Sequence, residues 1–447
     1  MAAKLWKSWN GLITHPYENL AKPSTSDELF SIVKDAPSLR VLGTGKSSAD
    51  ICAGTHTLID LSGLDNTPVL DESRTRVWVG AACQLSELIA FLARSGLGFP
   101  ALPDLDAITV AGAIATGTHG TGRVALSLSD YVEAIELVDA NGTLLTIDRG
   151  HDVELMDAAA VSLGLFGVSL RLCFRVEPLF DLQVTERPSP DNEWSAHWRE
   201  DLEQHDFLRV LWLPHTGWGY RISGDKVVAN QSGTSAAGLA GSSPNPFSLK
   251  APPRHHRYRR DVSSLFYRNT WRLPSSTVVA NRLIAGLFFG STVRRLGSLY
   301  ETTVTKSRST TLELAEWTVS FDRFDACFAE LRRAFGGFGS RGFAHIPMDV
   351  RFIRSSSAWL SNAYGYDTVT VGCVSRYPPK ADEHVAFKVI EEVFLAYGGR
   401  PHWAKRFSSG RETLQGLYPR YQDFVELRRR LDPSGKFLNS RLAQWFS

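Results

Sequence analysis

Cysteine is scarce and unpatterned in this chain of 447 residues: Cys52, Cys83, Cys173, Cys327 and Cys373 are odd in number, scattered, and without CxxC or metal-ligand spacing. That argues against a disulfide scaffold and against a metal site, and the five thiols read as reduced core residues of an intracellular, cytoplasmic protein. An excess of either charge is also missing. The 49 Lys and Arg face 47 Asp and Glu, a net +2, where a dedicated nucleic-acid binder would be strongly basic. Residues 277–289 are apolar enough to suggest membrane insertion, but Asn281 and Arg282 interrupt them and they fall short of the ~20 residues a span needs. They read as a helix covering one sheet. The first residues, Met-Ala-Ala-Lys-Leu-Trp-Lys, have no apolar run ending in small residues, so no secretory signal is expected and the mature chain should begin near Met1. No internal repeat is visible. The turn G-x-G-x-x-G that opens a dinucleotide-binding helix is lacking too, so a Rossmann fold is not expected.

What is present suffices for two cores: 447 residues exceed one ordinary domain, and 43% of them are apolar. Residues 24–175 alternate short apolar strands, such as Arg40-Val-Leu and Val77-Trp-Val, with helical stretches such as 85–95, an α+β pattern. A second region opens at Asp181 with extended segments at 207–213, 313–319 and 369–373. Between them residues 231–253 are mostly Gly, Ser, Ala and Pro and read as a loop that cannot hold itself in a core. The cluster that follows, Arg254-His-His-Arg-Tyr-Arg-Arg, reads as a solvated surface. Helical patterns return at 383–397 and 411–431.

Two glycine-rich segments carry the chemistry. In Val41-Leu-Gly-Thr-Gly-Lys-Ser-Ser a strand runs into a turn whose backbone N–H groups can face a pyrophosphate, with Gly43, Thr44, Gly45, Lys46, Ser47 and Ser48 as the candidates. The run from Leu102 to Gly122 ends in Thr-Gly-Thr-His-Gly-Thr-Gly, alternating small and hydroxyl residues. Such a run lets a large planar or phosphorylated ligand approach the backbone, with Gly112, Thr116, Gly117, Thr118, His119, Gly120 and Gly122 as contacts. Tight packing is the competing explanation, but packing alone does not ask for hydroxyls at every second place.

These segments, with Gly164-Leu-Phe-Gly-Val and its Gly167 and Val168, resemble the FAD-binding half of the vanillyl-alcohol-oxidase-type flavoproteins. Four later pieces narrow the resemblance: Phe207-Leu-Arg-Val-Leu-Trp-Leu-Pro-His, Asp349-Val-Arg-Phe, Gly398-Gly-Arg-Pro-His-Trp-Ala-Lys and Asp432-Pro-Ser-Gly-Lys-Phe-Leu-Asn-Ser-Arg-Leu. Together they are similar to the sugar-1,4-lactone oxidases, among them gulonolactone and arabinonolactone oxidases, and to the related alditol oxidases. The resemblance implies an FAD-binding domain over 1–178, a substrate domain with an antiparallel sheet covered by helices over 179–400, and a segment over 401–447 that returns to the flavin site.

It also assigns roles. Alcohol oxidation by a flavin leaves negative charge on the ring, and Lys405 of His-Trp-Ala-Lys is the cation that answers it, with His402 beside it. Asp349 and Arg351, two apart on an extended stretch, point to one face; there they can orient a hydroxylated substrate, and the acid can accept its proton. The family carries Glu where Asp349 stands. Lys46 occupies the place of the histidine that would bond to the flavin, so FAD is expected without a covalent link. Pro103 stands where an oxygen-reactive enzyme has Gly or Pro, pointing to O2 as acceptor, and Asp104 beside it is either a second acid/base group or a turn cap. Gly372 replaces a polar side chain of the relatives. An oxidase is the leading expectation, a dehydrogenase acting on another hydroxylated molecule the alternative, and a binding protein without turnover the third.

Overall fold

The computed structural model describes residues 4–227, 275–304, 313–337, 344–375 and 385–447, with Val262, Leu265, Phe266, Tyr267, Thr270 and Leu273 between the first two ranges. The stretch 231–253 and the cluster at 254–260 lie outside the described residues. The architecture is α+β and holds two hydrophobic cores.

The first core is built on two sheets. A parallel three-stranded sheet runs Asn19–Ala21, Thr57–Asp60, Leu39–Leu42, and an antiparallel five-stranded sheet runs Leu144–Asp148, Val132–Val138, Val168–Arg175, Arg76–Gly80, Val69–Leu70. Helix Leu85–Arg94 packs its Leu85, Leu88, Ile89 and Leu92 inward, the i, i+3, i+4, i+7 stripe of an amphipathic helix.

The second core lies under an eight-stranded antiparallel sheet, in the order Val293–Ser298, Asp181–Pro190, Trp218–Val227, Phe207–Leu213, Met348–Ile353, Thr368–Ser375, Glu313–Ser320, Arg400–Pro401. Alternation sorts its faces. Val210, Val350, Val371 and Trp317 align across four strands and, with Trp212 and Phe352, meet helices Asp191–Gln204, Phe321–Gly336 and Val385–Ala396. The other face carries Arg209, Arg351, Asp349, Gly372 and Glu316 and turns toward the first unit.

One expectation is refined. Residues 411–431 form two helices, Arg411–Leu417 and Tyr421–Leu431, because Pro419 lacks an N–H and pushes Tyr418 into an extended conformation at φ −109°, ψ 109°. The last three helices pack on the first core and not on the eight-stranded sheet. Phe424 stacks on Phe166, and Lys436 donates from Nζ to the carbonyls of Val33, Lys34 and Ala140. The chain's end therefore closes the first core.

Candidate active site

Two loops of the first unit meet beside the sheet face. Thr44 donates from Oγ1 to Ala107 O, and a Cβ at Gly43 would sit 2.8 Å from Thr109 Oγ1, so the two glycine-rich segments are packed against each other. The first is also tied to the His-Trp-Ala-Lys segment, since Ser48 N and Ser47 Oγ both donate to Ala404 O at 2.8 and 3.0 Å. Residues as much as 357 positions apart in sequence thus form one wall. Lys46 lies at the loop's edge with Nζ 4.9 Å over the ring of Trp9, from the N-terminal hairpin Lys4–Lys7 and Thr14–Tyr17.

The glycines of the second segment divide by role. A Cβ at Gly120 would meet Leu102 O at 2.8 Å, one at Gly122 would meet Asp206 O at 2.5 Å, and one at Gly167 would meet Val138 O at 2.5 Å. Packing alone requires glycine at these three. Gly117 and Gly45, at φ +69° and +63°, have no backbone closer than 3.7 Å to such a Cβ, so their freedom serves the left-handed turn that exposes the chain. Thr116 Oγ1 donates to Gly112 O and Thr118 N to Ala113 O at the end of helix Val110–Ala115.

On the sheet face, four charged side chains close a ring. Arg209 grips Asp349 with both Nε and Nη2, at 2.6 and 2.7 Å; Arg351 holds Asp349 Oδ2 through Nε at 2.8 Å. Asp104, from the loop before the glycine-rich run, completes the circuit at 3.1 Å from Arg351 and 3.5 Å from Arg209. Burial alone would push the Asp349 carboxyl up, but Arg209 and Arg351 outweigh it and hold it below the usual carboxylate range. The Arg351 guanidinium, which burial alone would lower, is raised by Asp104, Asp349 and Glu316.

One strand over, Gly372 separates Asp349 from Glu316. A Cβ there would meet Glu316 Oε2 at 3.6 Å and Asp349 Cβ at 3.7 Å, ordinary contacts, so the fold does not demand glycine and the position is open floor. Glu316 accepts from His119, Nε2 to Oε1 at 2.7 Å, while His119 Nδ1 faces Gly120 O at 3.0 Å. Burial raises the Glu316 carboxyl, yet His119, His402 and Lys405 around it hold it well below its usual range. His402 is buried and pushed down to about 3, chiefly by desolvation, so it is neutral. Its Nδ1 accepts from Ala404 N at 3.1 Å, which leaves the proton on Nε2. His119, Glu316 and His402 bring ligand-type atoms within 4.8 Å of one another, but a donor Nε2–H on His402 is not a metal ligand, and only His119 and Glu316 are joined by a side-chain hydrogen bond. Lys405, half-buried, sits one turn beyond, its N–H donating to His402 O.

The structure therefore brings Asp104, Asp349, Arg351, His402 and Lys405 to one face. Sequence reasoning missed Arg209 and Glu316, and it read His119 as a cofactor contact without its partner Glu316. The available signal was a charge inside an apolar strand: Arg209 in Phe-Leu-Arg-Val-Leu, Glu316 in Leu-Ala-Glu-Trp.

The residues fit an extended FAD. Ser48 Oγ and Thr370 Oγ1 are buried without a hydrogen-bond partner, one in the first loop and one on the sheet face two residues before Gly372. The fold and this arrangement define a two-domain FAD flavoprotein of the vanillyl-alcohol-oxidase type. An FAD-binding domain model matches residues 17–148, and the solved structures it resembles include cholesterol oxidases. One, from Brevibacterium sterolicum, covers 100% of this chain and 97% of its own at TM-score 0.76 and 14% identity, a likeness of fold alone. The model of D-arabinono-1,4-lactone oxidase matches residues 172–446, and the chain belongs to that family. The L-gulono-1,4-lactone dehydrogenase of Mycobacterium tuberculosis is 29% identical, covering 97% of each chain. The L-gulonolactone oxidase of Bos taurus is 27% identical (91% of this chain, 89% of that one), as is the alditol oxidase of a Streptomyces species (97% of each).

Proposed function

We propose that the protein oxidises a CH–OH group of an aldonolactone or a sugar-like alcohol, with non-covalent FAD as its two-electron acceptor and O2 reduced to H2O2. The ion ring carries this reading: a carboxylate–guanidinium network on a sheet face, beside a lysine and a glycine-rich loop, suits a polyhydroxylated substrate. Residues 1–178 hold the cofactor in this scheme, through Ser48, Gly45, Gly117 and Thr118, while 179–400 supply the substrate face and 401–447 bring Lys405 to it. When bound, FAD supplies the place where the electrons go.

The chain's own groups do the rest. Asp349, gripped by two guanidiniums, is a poor base; it fixes Arg209 and Arg351 so that their outward N–H groups orient the substrate's hydroxyls. Asp104, held at longer range, is the carboxylate that accepts the alcohol proton. His402 Nε2–H is a neutral donor. Because the two arginines are already balanced by two aspartates, the ring does not recruit a carboxylate, and a neutral lactone is preferred over its ring-opened acid. Gly372 leaves space for a larger substituent than a floor bearing a side chain would.

The test is anaerobic bleaching of the flavin by a panel of aldonolactones, alditols and the corresponding aldonates. Lactones or alditols should bleach it and aldonates should not; bleaching by none of them would refute the reading. A dehydrogenase is the second reading, supported by the mycobacterial relative's name. Readmission of air decides between them: an oxidase releases peroxide at the rate of turnover, a dehydrogenase turns over only with an added dye.

The cofactor link has its own test. Lys46, stacked over Trp9 at the place of the linking histidine, offers no nucleophilic ring nitrogen. Acid precipitation should release all the flavin to the supernatant, and yellow colour left on the denatured protein would disprove non-covalent binding.

A further inference from the structure

The N-terminal hairpin, Lys4–Lys7 and Thr14–Tyr17, stands apart from the rest of the fold. It is a two-stranded sheet that pairs with no other strand, and none of its residues belongs to either hydrophobic core. A lone hairpin is marginal in water, so its contacts hold it. Three of them grip one segment, residues 45–54. Trp9, in the hairpin's turn, donates from its backbone N to Gly45 O and from Nε1 to Lys46 O, both at 3.1 Å. Trp6 packs on Gly45, where a Cβ would come within 3.2 Å of its Cζ2, and His15 Nε2 meets Asp50 Oδ1 at 2.6 Å.

The gripped segment has no ladder of its own. Residues 43–56, between strands Leu39–Leu42 and Thr57–Asp60, form neither helix nor strand, so contacts from outside set the direction of their peptide groups. Trp9 sets two of them. In a planar trans peptide the C=O and the following N–H point opposite ways. With Gly45 O and Lys46 O both turned to Trp9, the N–H groups of Lys46 and Ser47 both face away from the hairpin, directly after Gly45 at its left-handed φ of +63°. Successive N–H groups turned to one side make a seat for an anion. Among the described residues neither of these N–H groups has a hydrogen-bond partner, whereas the next two do: Ser48 N donates to Ala404 O and Ala49 N to Ser47 Oγ. Ser48 Oγ, buried beside them, also lacks one. Three adjacent donors left open suit a ligand with several acceptor oxygens.

We propose that Trp9 is a positioning residue for the cofactor, aiming the Lys46 and Ser47 N–H groups at the pyrophosphate of FAD from behind the loop. The hairpin thereby helps to retain a cofactor that no covalent bond holds. This rests on the reading of FAD as non-covalent.

Trp9→Phe tests it, since phenylalanine keeps an aromatic ring and the backbone N–H but removes the Nε1 donor that turns Lys46 O. Full-length, flavin-loaded protein is diluted and the rise of FAD fluorescence followed. The variant should release FAD about three- to tenfold faster than wild type, the worth of one hydrogen bond. The flavin-free proteins should melt at the same temperature, and added FAD should raise the variant's melting temperature less. Equal release rates would overturn the proposal. So would a drop in the flavin-free variant's melting temperature that accompanies the faster release, for Trp9 would then only stabilise the hairpin. If wild type keeps its colour through acid denaturation, the non-covalent reading falls and this inference with it; if wild type gives up its colour and Trp9→Phe releases FAD no faster, this inference alone falls.

Discussion

Asp349→Ala should unfold about 3–5 kcal/mol more easily than wild type, the cost of leaving the buried Arg351 and the half-buried Arg209 short of their carboxylate. Asp349 accepts from Arg209 through both oxygens and from Arg351 through one. Turnover per folded, flavin-loaded molecule should also fall, by about 10²-fold, because the arginines that orient the substrate lose the group that aims them. Asp104→Asn, whose contacts are longer, should cost little stability but much of the rate. Chemical denaturation and single-turnover flavin reduction separate the two. If Asp349→Ala kept wild-type turnover per loaded molecule, the ring would be structural only. If it kept wild-type stability, the ring would not be the closed network described.

Lys405→Met is expected to slow flavin reduction by ~10²–10³, equivalent to about 2.7–4 kcal/mol for one preorganised electrostatic group. Lys405 is half-buried, next to a neutral His402 and a Glu316 carboxylate that stays ionised. Methionine keeps the stem's packing and removes the charge, so FAD content and melting temperature should hold. Stopped-flow reduction within a few-fold of wild type would show that another group answers the charge on the reduced cofactor.

These two outcomes weigh parts of the molecule that were unequally legible in the sequence. The strand at 207–213 was read with its observed bounds, and the helix at 85–95 was one residue too long, because period-2 and period-3.6 patterns are local. The helical pattern expected at 411–431 is present but broken once, by a local rule given too little weight, the effect of Pro419 on Tyr418. Asp349 and Arg351 were expected on one face, and their spacing of two makes that nearly inevitable. Their partners were another matter. Arg209 stands 140 positions from Asp349 and Glu316 197 from His119, and only strand register and the docking of the glycine-rich loop bring them together. Gly120 and Gly122 show the same limit in reverse. A glycine that makes room for a ligand and one that makes room for a neighbouring carbonyl look alike in sequence, and only the 2.8 and 2.5 Å approaches tell them apart.

By itself, then, the sequence determined most of the secondary structure, the two-domain α+β plan and the FAD family, because each rests on short-range periodicity or on residues adjacent in the chain. Tertiary structure decided which charges neutralise which. It made Asp349 a clamp and left Asp104 as the looser carboxylate, and it fixed the neutral tautomer of His402 through Ala404. The physical reason is that protonation and exposure depend on what lies within a few ångströms in space, and those neighbours come from strands and loops hundreds of residues apart.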